Sequence, residues 1–573
     1  MRVITVYAAV AFVILELVSI IVEPLKLPEW TLPFIIVLLC VGFIIAIILS
    51  WIYDIHPEGG IVKTEPAKEV SEESVPPSSK GWKIASYISF VVIVGLIVLN
   101  IVPRTGKKLI LDKSIAVLPF ENMSDENEFA HLGDAITDEI IMQLYKIHEF
   151  EVRSRTSIMQ YKNTPKGSPV IGQELNVNYL LEGSAQRYED KVRIRAQLIQ
   201  ASTDDHIWAE VFEGDWNNIF NIQINVAKQV AHELKTVLSP SEIERIEDEP
   251  TDNIEAYNLY LQGRHFWSQE GKDDLDKSIE YYIRALEIDP DYALAYTGMA
   301  ITYTSYAWYG YSPRRDVIPQ AKTAAKKALE LDNKLGEAHT ELAFARLIYD
   351  WDWSGSETGF KRALELNPNY ARAHKQYAWV LSYVGRHDEA LEQSKRAHEL
   401  DPLSVDIWVE FGRRYYFDRD YDKAIDEYRK VIELFPNIKY SPISWYARSE
   451  LAKALSQKGL HDEAIEEYLK ADFEPTYHWH LGYIYGVAGK REKAQEILNY
   501  YLELSKKEFV WPASIGAIYI GLGEKDKAFE WLEKSYELRE AWMIHLKVDP
   551  IFDSLRSDPR FQDLVDRMNF PDN

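Results

Sequence analysis

The chain has 573 residues, a length that suggests roughly three or four folding units rather than one core. Its 64 Lys and Arg stand against 89 Asp and Glu, a formal net charge of -25. Such a field repels phosphate backbones and excludes nucleic acid as the expected partner, while the one cysteine, Cys40, excludes an intrachain disulfide and any thiolate metal cluster.

Three apolar runs open the chain: Val3 to Val22, interrupted by Glu16, then Leu32 to Ile52, then Ile84 to Val102. Each is long enough to cross ~30 Å of hydrocarbon as a helix. Trp30, Trp51, Tyr53 and Trp82 stand at the run ends, where amphipathic rings favour the interface. A cleavable signal peptide is the rival reading of the first run, but a small-x-small cleavage site is lacking and a second run follows closely. The expectation is therefore an integral membrane protein with three spans. Two lie within 1–53 and the third at 83–103, separated by a disordered linker at 54–82 rich in Pro, Glu, Ser and Lys. The flanking charges do not orient these spans. Arg2, Lys63, Lys68, Lys80 and Lys83 on one side balance Lys26, Arg104, Lys107, Lys108 and Lys113 on the other.

After Lys113 the pattern turns to compact α/β. Ser114 to Phe120 reads as a buried strand. Asp134 to Tyr145 reads as a helix with Ile136, Ile140, Ile141 and Leu144 on one face, and Glu149 to Arg155 as a second strand. A short helix carries Gln173 and Glu174. Tyr179–Tyr188, Lys191–Gln200 and His206–Phe212 then form a meander; in the second of these Val192, Ile194, Ala196 and Leu198 alternate with polar residues. Trp216 to Leu238 reads as one long helix.

Four ordered stretches, SIAVLPFENMS, GDAITDEIIMQL, NYLLEGSAQRYEDKVRIRAQLIQASTDDHIWAE and the long terminal helix, together resemble the TolB N-terminal-like (FlgO-like) domain, over about residues 109–245. The resemblance implies a non-catalytic module that in its family often sits between a membrane span and a repeat array. It also implies a bacterial inner (cell) membrane protein, multi-pass, with a cytosolic linker and a periplasmic C-terminal part. The paired first runs (VYAAVAFVI, LPEWTLPFIIVLL, WIYDIHPEGGI) resemble the membrane segment that precedes such domains in some bacterial proteins.

From Ala256 onward small residues recur at fixed spacing. Ala378, Ala390, Ala397 and Pro402 return 34 positions later as Gly412, Ala424, Val431 and Pro436, and Gly482 and Ala494 return as Gly516 and Ala528. The offset of 12 between small residues (378 to 390, 452 to 464, 516 to 528) is the signature of tetratricopeptide (TPR) repeats. Small side chains sit where successive helices approach, Tyr428, Tyr468 and Trp531 fill the wider gaps, and proline ends each second helix. The fold class expected is multidomain: transmembrane helices, an α/β domain, then an all-α solenoid of about eight repeats over 254–545 with a capping helix at 546–573.

No catalytic constellation is present. Gly521 to Ala528 lacks the Lys-Ser/Thr pair of a phosphate-binding loop, His232-Glu233 lacks a second histidine one turn on, and His478 and His480 point apart on a helix. No catalytic residue, metal or cofactor is assigned. The helix positions that face the concave surface of such a solenoid carry Arg372, Lys375, Trp379 and Tyr383, then Arg413 and Tyr416, then Lys453. This basic and aromatic stripe could hold an acidic peptide or a terminal carboxylate, with Trp379 as anchor. The competing reading is a solvated inner face whose cations pair with nearby Glu and Asp. The function expected is binding of a protein or peptide partner, as sensor or scaffold. The alternative is a regulator that signals through a separate cytosolic effector; an enzyme is disfavoured, and homo-oligomerisation is left open.

Overall fold

The computed structural model describes residues 112–124, 131–435, 442–470, 478–507 and 509–571, with short pieces at 39, 42–43, 53–55 and 61–63. Strands β1 (Tyr53–Ile55) and β2 (Ile61–Lys63) pair antiparallel. They fall where a disordered linker was expected. Tyr53, Ile55, Ile61 and Val62 are β-favouring residue types. Apart from the helical positions 39, 42 and 43, the three apolar runs lie outside the described residues.

Among the described residues no helix is long and apolar enough to cross a membrane. That finding overturns the expected multi-pass inner-membrane location with a periplasmic C-terminal part. The physical reason is visible in the longest described helix, Arg314–Leu331, which carries Arg315, Asp316, Lys322, Lys326, Lys327 and Glu330 along its length.

The α/β region, 112–247, is built on one sheet in the order β5-β3-β6-β7-β8. β3 (Ser114–Val117) runs parallel to both β5 (Glu151–Val152) and β6 (Tyr179–Tyr188), and β4 (Glu121–Asn122) pairs with Ser184 and Ala185 further along β6. β7 (Lys191–Gln200) and β8 (Asp205–Asp215) extend the sheet as antiparallel neighbours. Val192, Ile194, Ala196 and Leu198 are all buried, as their alternation requires. Their face packs under α1 (Leu132–Tyr145), whose Ile136, Ile140 and Leu144 are fully enclosed, and α4 (Ile219–Glu233). Between these helices lie α2 (Arg155–Ile158) and α3 (Ser168–Leu175), and α5 (Pro240–Glu247) follows. Several boundaries differ from the sequence reading: the first strand stops at Val117, the last runs on to Asp215, and the terminal helix stops at Glu233. The second strand is only Glu151–Val152, because the chain turns into α2, and the terminal helix opens with a 3-10 turn at Trp216–Asn218.

Eight helix pairs follow among the described residues. The first four are α6/α7 (Ile254–Trp267, Lys272–Ile288), α8/α9 (Ala293–Tyr309, Arg314–Leu331), α10/α11 (Gly336–Ala345, Trp353–Leu366) and α12/α13 (Ala371–Tyr383, His387–Leu400). The last four are α14/α15 (Val405–Phe417, Tyr421–Leu434), α16/α17 (Pro442–Gln457, His461–Leu469), α18/α19 (Trp479–Val487, Arg491–Leu504) and α20/α21 (Pro512–Leu522, Lys525–Glu537). The repeating small residues act by close packing. A Cβ on Gly412 would sit 2.4 Å from the ring of Tyr428, and one on Gly298 equally close to Tyr282. Ala378, Ala390, Ala424, Ala452, Ala464, Ala494 and Ala528 are completely buried at the equivalent contacts.

The two regions share a core. Tyr257, Tyr260 and Tyr282 of the first repeat, with Tyr292 at the start of the second, belong to the same apolar cluster as Ile140 and Val226. Backbone also crosses the boundary: Ser154 N–H donates to Leu400 O at 2.8 Å, and Asn369 Nδ2 donates to Phe150 O at 2.6 Å. The β5 edge of the sheet is thereby closed by the solenoid.

Beyond α21 the chain leaves the repeat pattern. It makes 3-10 turns at Ala541–His545 and Pro550–Phe552 and ends in α22 (Pro559–Arg567), which pairs Arg560 with Asp526 at 2.9 Å on the last repeat. It also reaches back to the third repeat. Trp353 Nε1 donates to Met568 O at 3.0 Å, Trp353 stacks on Phe570, and Arg539 donates to Tyr349 O at 2.6 Å.

Candidate functional site: the inner face of the solenoid

The seven stripe residues lie on the first helices of repeats four, five and six. They divide into two groups. Trp379 is the centre of the first: its indole is stacked on Trp308 at 4.7 Å and lies 5.7 Å from Phe344, so one aromatic from each of three successive repeats meets there. Arg372 donates to Glu341 Oε1 at 2.8 Å, and Lys375 pairs with Asp406 while lying 5.5 Å from the Trp379 ring centre. Burial works against the charged form of Arg372, but the carboxylate of Glu341 more than compensates and holds the guanidinium firmly protonated.

The second group is covered by the chain itself. His545 lies 4.8 Å from the ring of Tyr383 and 5.6 Å from Phe417. Tyr416 donates to Asp549 Oδ1 at 3.3 Å, and Arg419 donates to Val548 O at 2.6 Å. Arg413 donates to Glu410 at 2.9 Å and to Glu450 at 3.3 Å; Arg414 donates to the other oxygen of Glu410 at 2.8 Å; Lys453 donates to Glu450 at 3.0 Å. All five of these charged side chains are buried. Burial alone would push the Glu450 carboxyl up, yet Lys453 and Arg413 hold it at about 2. The same surroundings, burial first and the cations second, push His480 and His545 far down, so both imidazoles are neutral.

The open concave stripe expected from the sequence is thus split. Arg372, Lys375 and Trp379 are brought together with Trp308, whereas Tyr383, Arg413, Tyr416 and Lys453 lie under Ala541–Phe552. All four cations have a carboxylate partner within the chain, which is the competing reading of the stripe.

One element was missed. Trp308 is 42% exposed although it stacks on a buried indole, and further aromatic side chains are exposed in the same part of the chain or packed near Gly310. Tyr311 and Phe509 are exposed, Phe509 meets Trp511 edge-on at 4.9 Å, and a Cβ on Gly310 would lie 3.9 Å from Trp511. The signal was present in the sequence as the insertion YTSYAWYGYSPRR between Ala300 and Ala321. No group of three or more His, Cys, Asp or Glu that could hold a metal ion occurs among the described residues.

A family profile described as the second domain of HilA/YgeH-like transcriptional regulators matches residues 111–229, a different description from the TolB N-terminal-like resemblance on the same stretch. Tetratricopeptide-repeat profiles match 268–292, 360–392, 409–478 and 513–541, so the region is a TPR solenoid with an α/β region before it. A protein named putative adenylate cyclase 3 from Rhizobium meliloti (strain 1021) is 34% identical over 249 residues, 43% of this chain and 42% of that one. The transcriptional regulator HilA of Salmonella typhimurium is 27% identical over 216 residues, 37% of each chain. The chain thus spans about two fifths of the length of these relatives. Among solved structures, a thermophilic TPR protein of Thermus thermophilus overlaps 34% of this chain and 98% of its own, at 19% identity and a TM-score of 0.29.

Proposed function

We propose that this chain is a non-catalytic binding protein that takes a polypeptide partner at the mouth of its solenoid, with its TolB-like α/β module held rigidly beside that site. The observation that carries the reading is the half-exposed Trp308, stacked on Trp379, with Tyr311 three residues on and Phe509 also exposed. Aromatic side chains bring a large apolar area at small entropic cost and dominate interface energetics. Because Arg372 and Lys375 are already paired, the partner segment anchors through apolar side chains and not through an acidic tail. Of the stripe, Arg372 and Lys375 are half-buried beside that site, and the buried Trp379 backs the exposed Trp308.

A second reading has its own support. Relatives that share up to two fifths of their length with this chain are named for two different outputs, a cyclase and a transcriptional regulator. A chain that matches part of each suits the receiving half of a regulator, passing partner binding to a separate effector.

The test is cross-linking in cells that express the full chain, with recovered partners identified by mass spectrometry. Trp308→Ala should lower recovery of a bound polypeptide by about tenfold or more, as for a central aromatic anchor. Tyr500→Ala, exposed on the seventh repeat, should leave it unchanged. A partner set indifferent to Trp308→Ala removes the mouth as the binding surface.

A further inference from the structure

The two edges of the sheet are treated differently. The β5 edge is closed by backbone of the solenoid, through Ser154 and Leu400. At the other edge β8 runs for 11 residues, pairs with β7 and with no other strand among the described residues, and exposes Ala209, Glu210 and Val211 at its middle. A long edge strand with unpaired backbone is a template for another strand, and proteins normally blunt it with lysine, proline or a covering element. β8 contains neither Lys nor Pro. Its charges are all acidic: Asp205, Glu210, Glu213 and Asp215.

These acids are not equivalent. Lys191 and Arg193 of β7 already pair with Asp215 and Glu213. Glu210 has no cation among the described residues; its contact is Trp208 Nε1 at 3.2 Å. On the same face, two residues to either side, stand Trp208 and Phe212, half-buried and 6.0 Å apart. An added strand would therefore meet an apolar, an acidic and an apolar position in alternation.

We infer that β8 accepts an extended polypeptide segment of the pattern apolar-x-Lys/Arg-x-apolar, added to the sheet edge with its cation opposite Glu210. Backbone hydrogen bonds supply affinity, and the alternate side chains supply choice of sequence. A second copy of the chain is the poorer occupant. Paired in register, parallel or antiparallel about Glu210, it would set Glu210 against Glu210, and like charges directly opposite destabilise a strand pair. The inference rests on the reading of the chain as a polypeptide-binding protein but uses a surface separate from Trp308.

The experiment uses the full chain and two synthetic heptapeptides that alternate threonine with valine, one carrying lysine at its centre and the other glutamate. Hydrogen exchange is followed across 205–215. The lysine peptide should slow exchange there by about tenfold or more and the glutamate peptide should not. Glu210→Lys should reverse that preference, and Glu210→Gln should abolish it. Equal protection by both peptides, protection confined to other segments, no protection, or self-association through β8 would each overturn the inference. None of these results would touch the loss of partner expected of Trp308→Ala, so the two readings fail separately.

Discussion

Two stretches of one inner face differ in what lies over them. Across repeats two to four, Trp308, Phe344 and Trp379 form a stack that opens to solvent at Trp308. Across repeats four to six, Tyr383, Arg413, Tyr416 and Lys453 lie under a segment of the same chain whose Met543, Ile544, Leu546 and Phe552 are all buried. Position along a repeat helix determines which way a side chain points, but exposure depends on what else the chain places there. A covered stretch converts cations that would suit a ligand into a buried network that holds the fold.

The strongest way to break that comparison is at the covered stretch. Glu410 accepts from both Arg413 and Arg414, with its own side chain nearly inaccessible. Removing one member of such a group leaves an uncompensated buried charge, so Glu410→Ala should cost about 3–5 kcal/mol. A lowered urea midpoint measures the loss, and hydrogen exchange should show Ala541–Phe552 opening with it. The same argument explains why Arg413→Glu would test folding and not binding.

Much of this architecture is legible in the amino-acid sequence. The 34-residue recurrence of small residues identifies the solenoid because Gly412 and Ala378 are dictated by contact with a neighbouring helix, a local requirement that repeats. The alternation in Lys191–Gln200 likewise reveals a one-sided strand. The covering segment carried no such signal. Its contacts join residues far apart in sequence, as Trp353 with Met568 or Tyr416 with Asp549, and each is made once. A reading based on periodicity therefore sees the inner face as open. The exposed aromatics escaped for a related reason: Trp308 and Tyr311 belong to an insertion, outside the repeat positions from which the stripe was drawn.

A prediction of intermediate size concerns the point where the covering segment leaves the last repeat. Glu540 is buried, accepts from Ala513 N–H at 2.9 Å, and lies near Arg314 without a direct ion pair. Burial pushes its carboxyl from 4.5 up to about 7, and Arg314 is correspondingly pushed down to about 10. A raised carboxyl pKa means that the folded state binds more protons than the unfolded one between those values. Stability therefore falls as pH rises through about 7, on the order of 3 kcal/mol for this group once it is ionised. Glu540→Gln should accordingly raise Tm at pH 8 by about 3 °C and leave it unchanged at pH 4, where the native residue is already neutral. An equal gain at both pH values would mean that charge is not what the site resists.

The smallest effect is expected on the outer surface, where the same chemistry meets water. Arg429 pairs with Glu463 at 2.7 Å, one repeat further along, with both side chains nearly half exposed. Each charge keeps most of its hydration, and the long side chains lose rotamer freedom when they pair, so such contacts contribute about 0–1 kcal/mol and weaken with salt. Arg429→Ala should shift the urea midpoint little, and less still in 0.5 M salt, although its partner distance matches that of Arg414 and Glu410 within 0.1 Å. If the two substitutions, Arg429→Ala and Glu410→Ala, cost similar amounts, burial under the C-terminal segment would not be what separates the stretches of the solenoid. A wide gap between them ties the strength of the inner network to its cover.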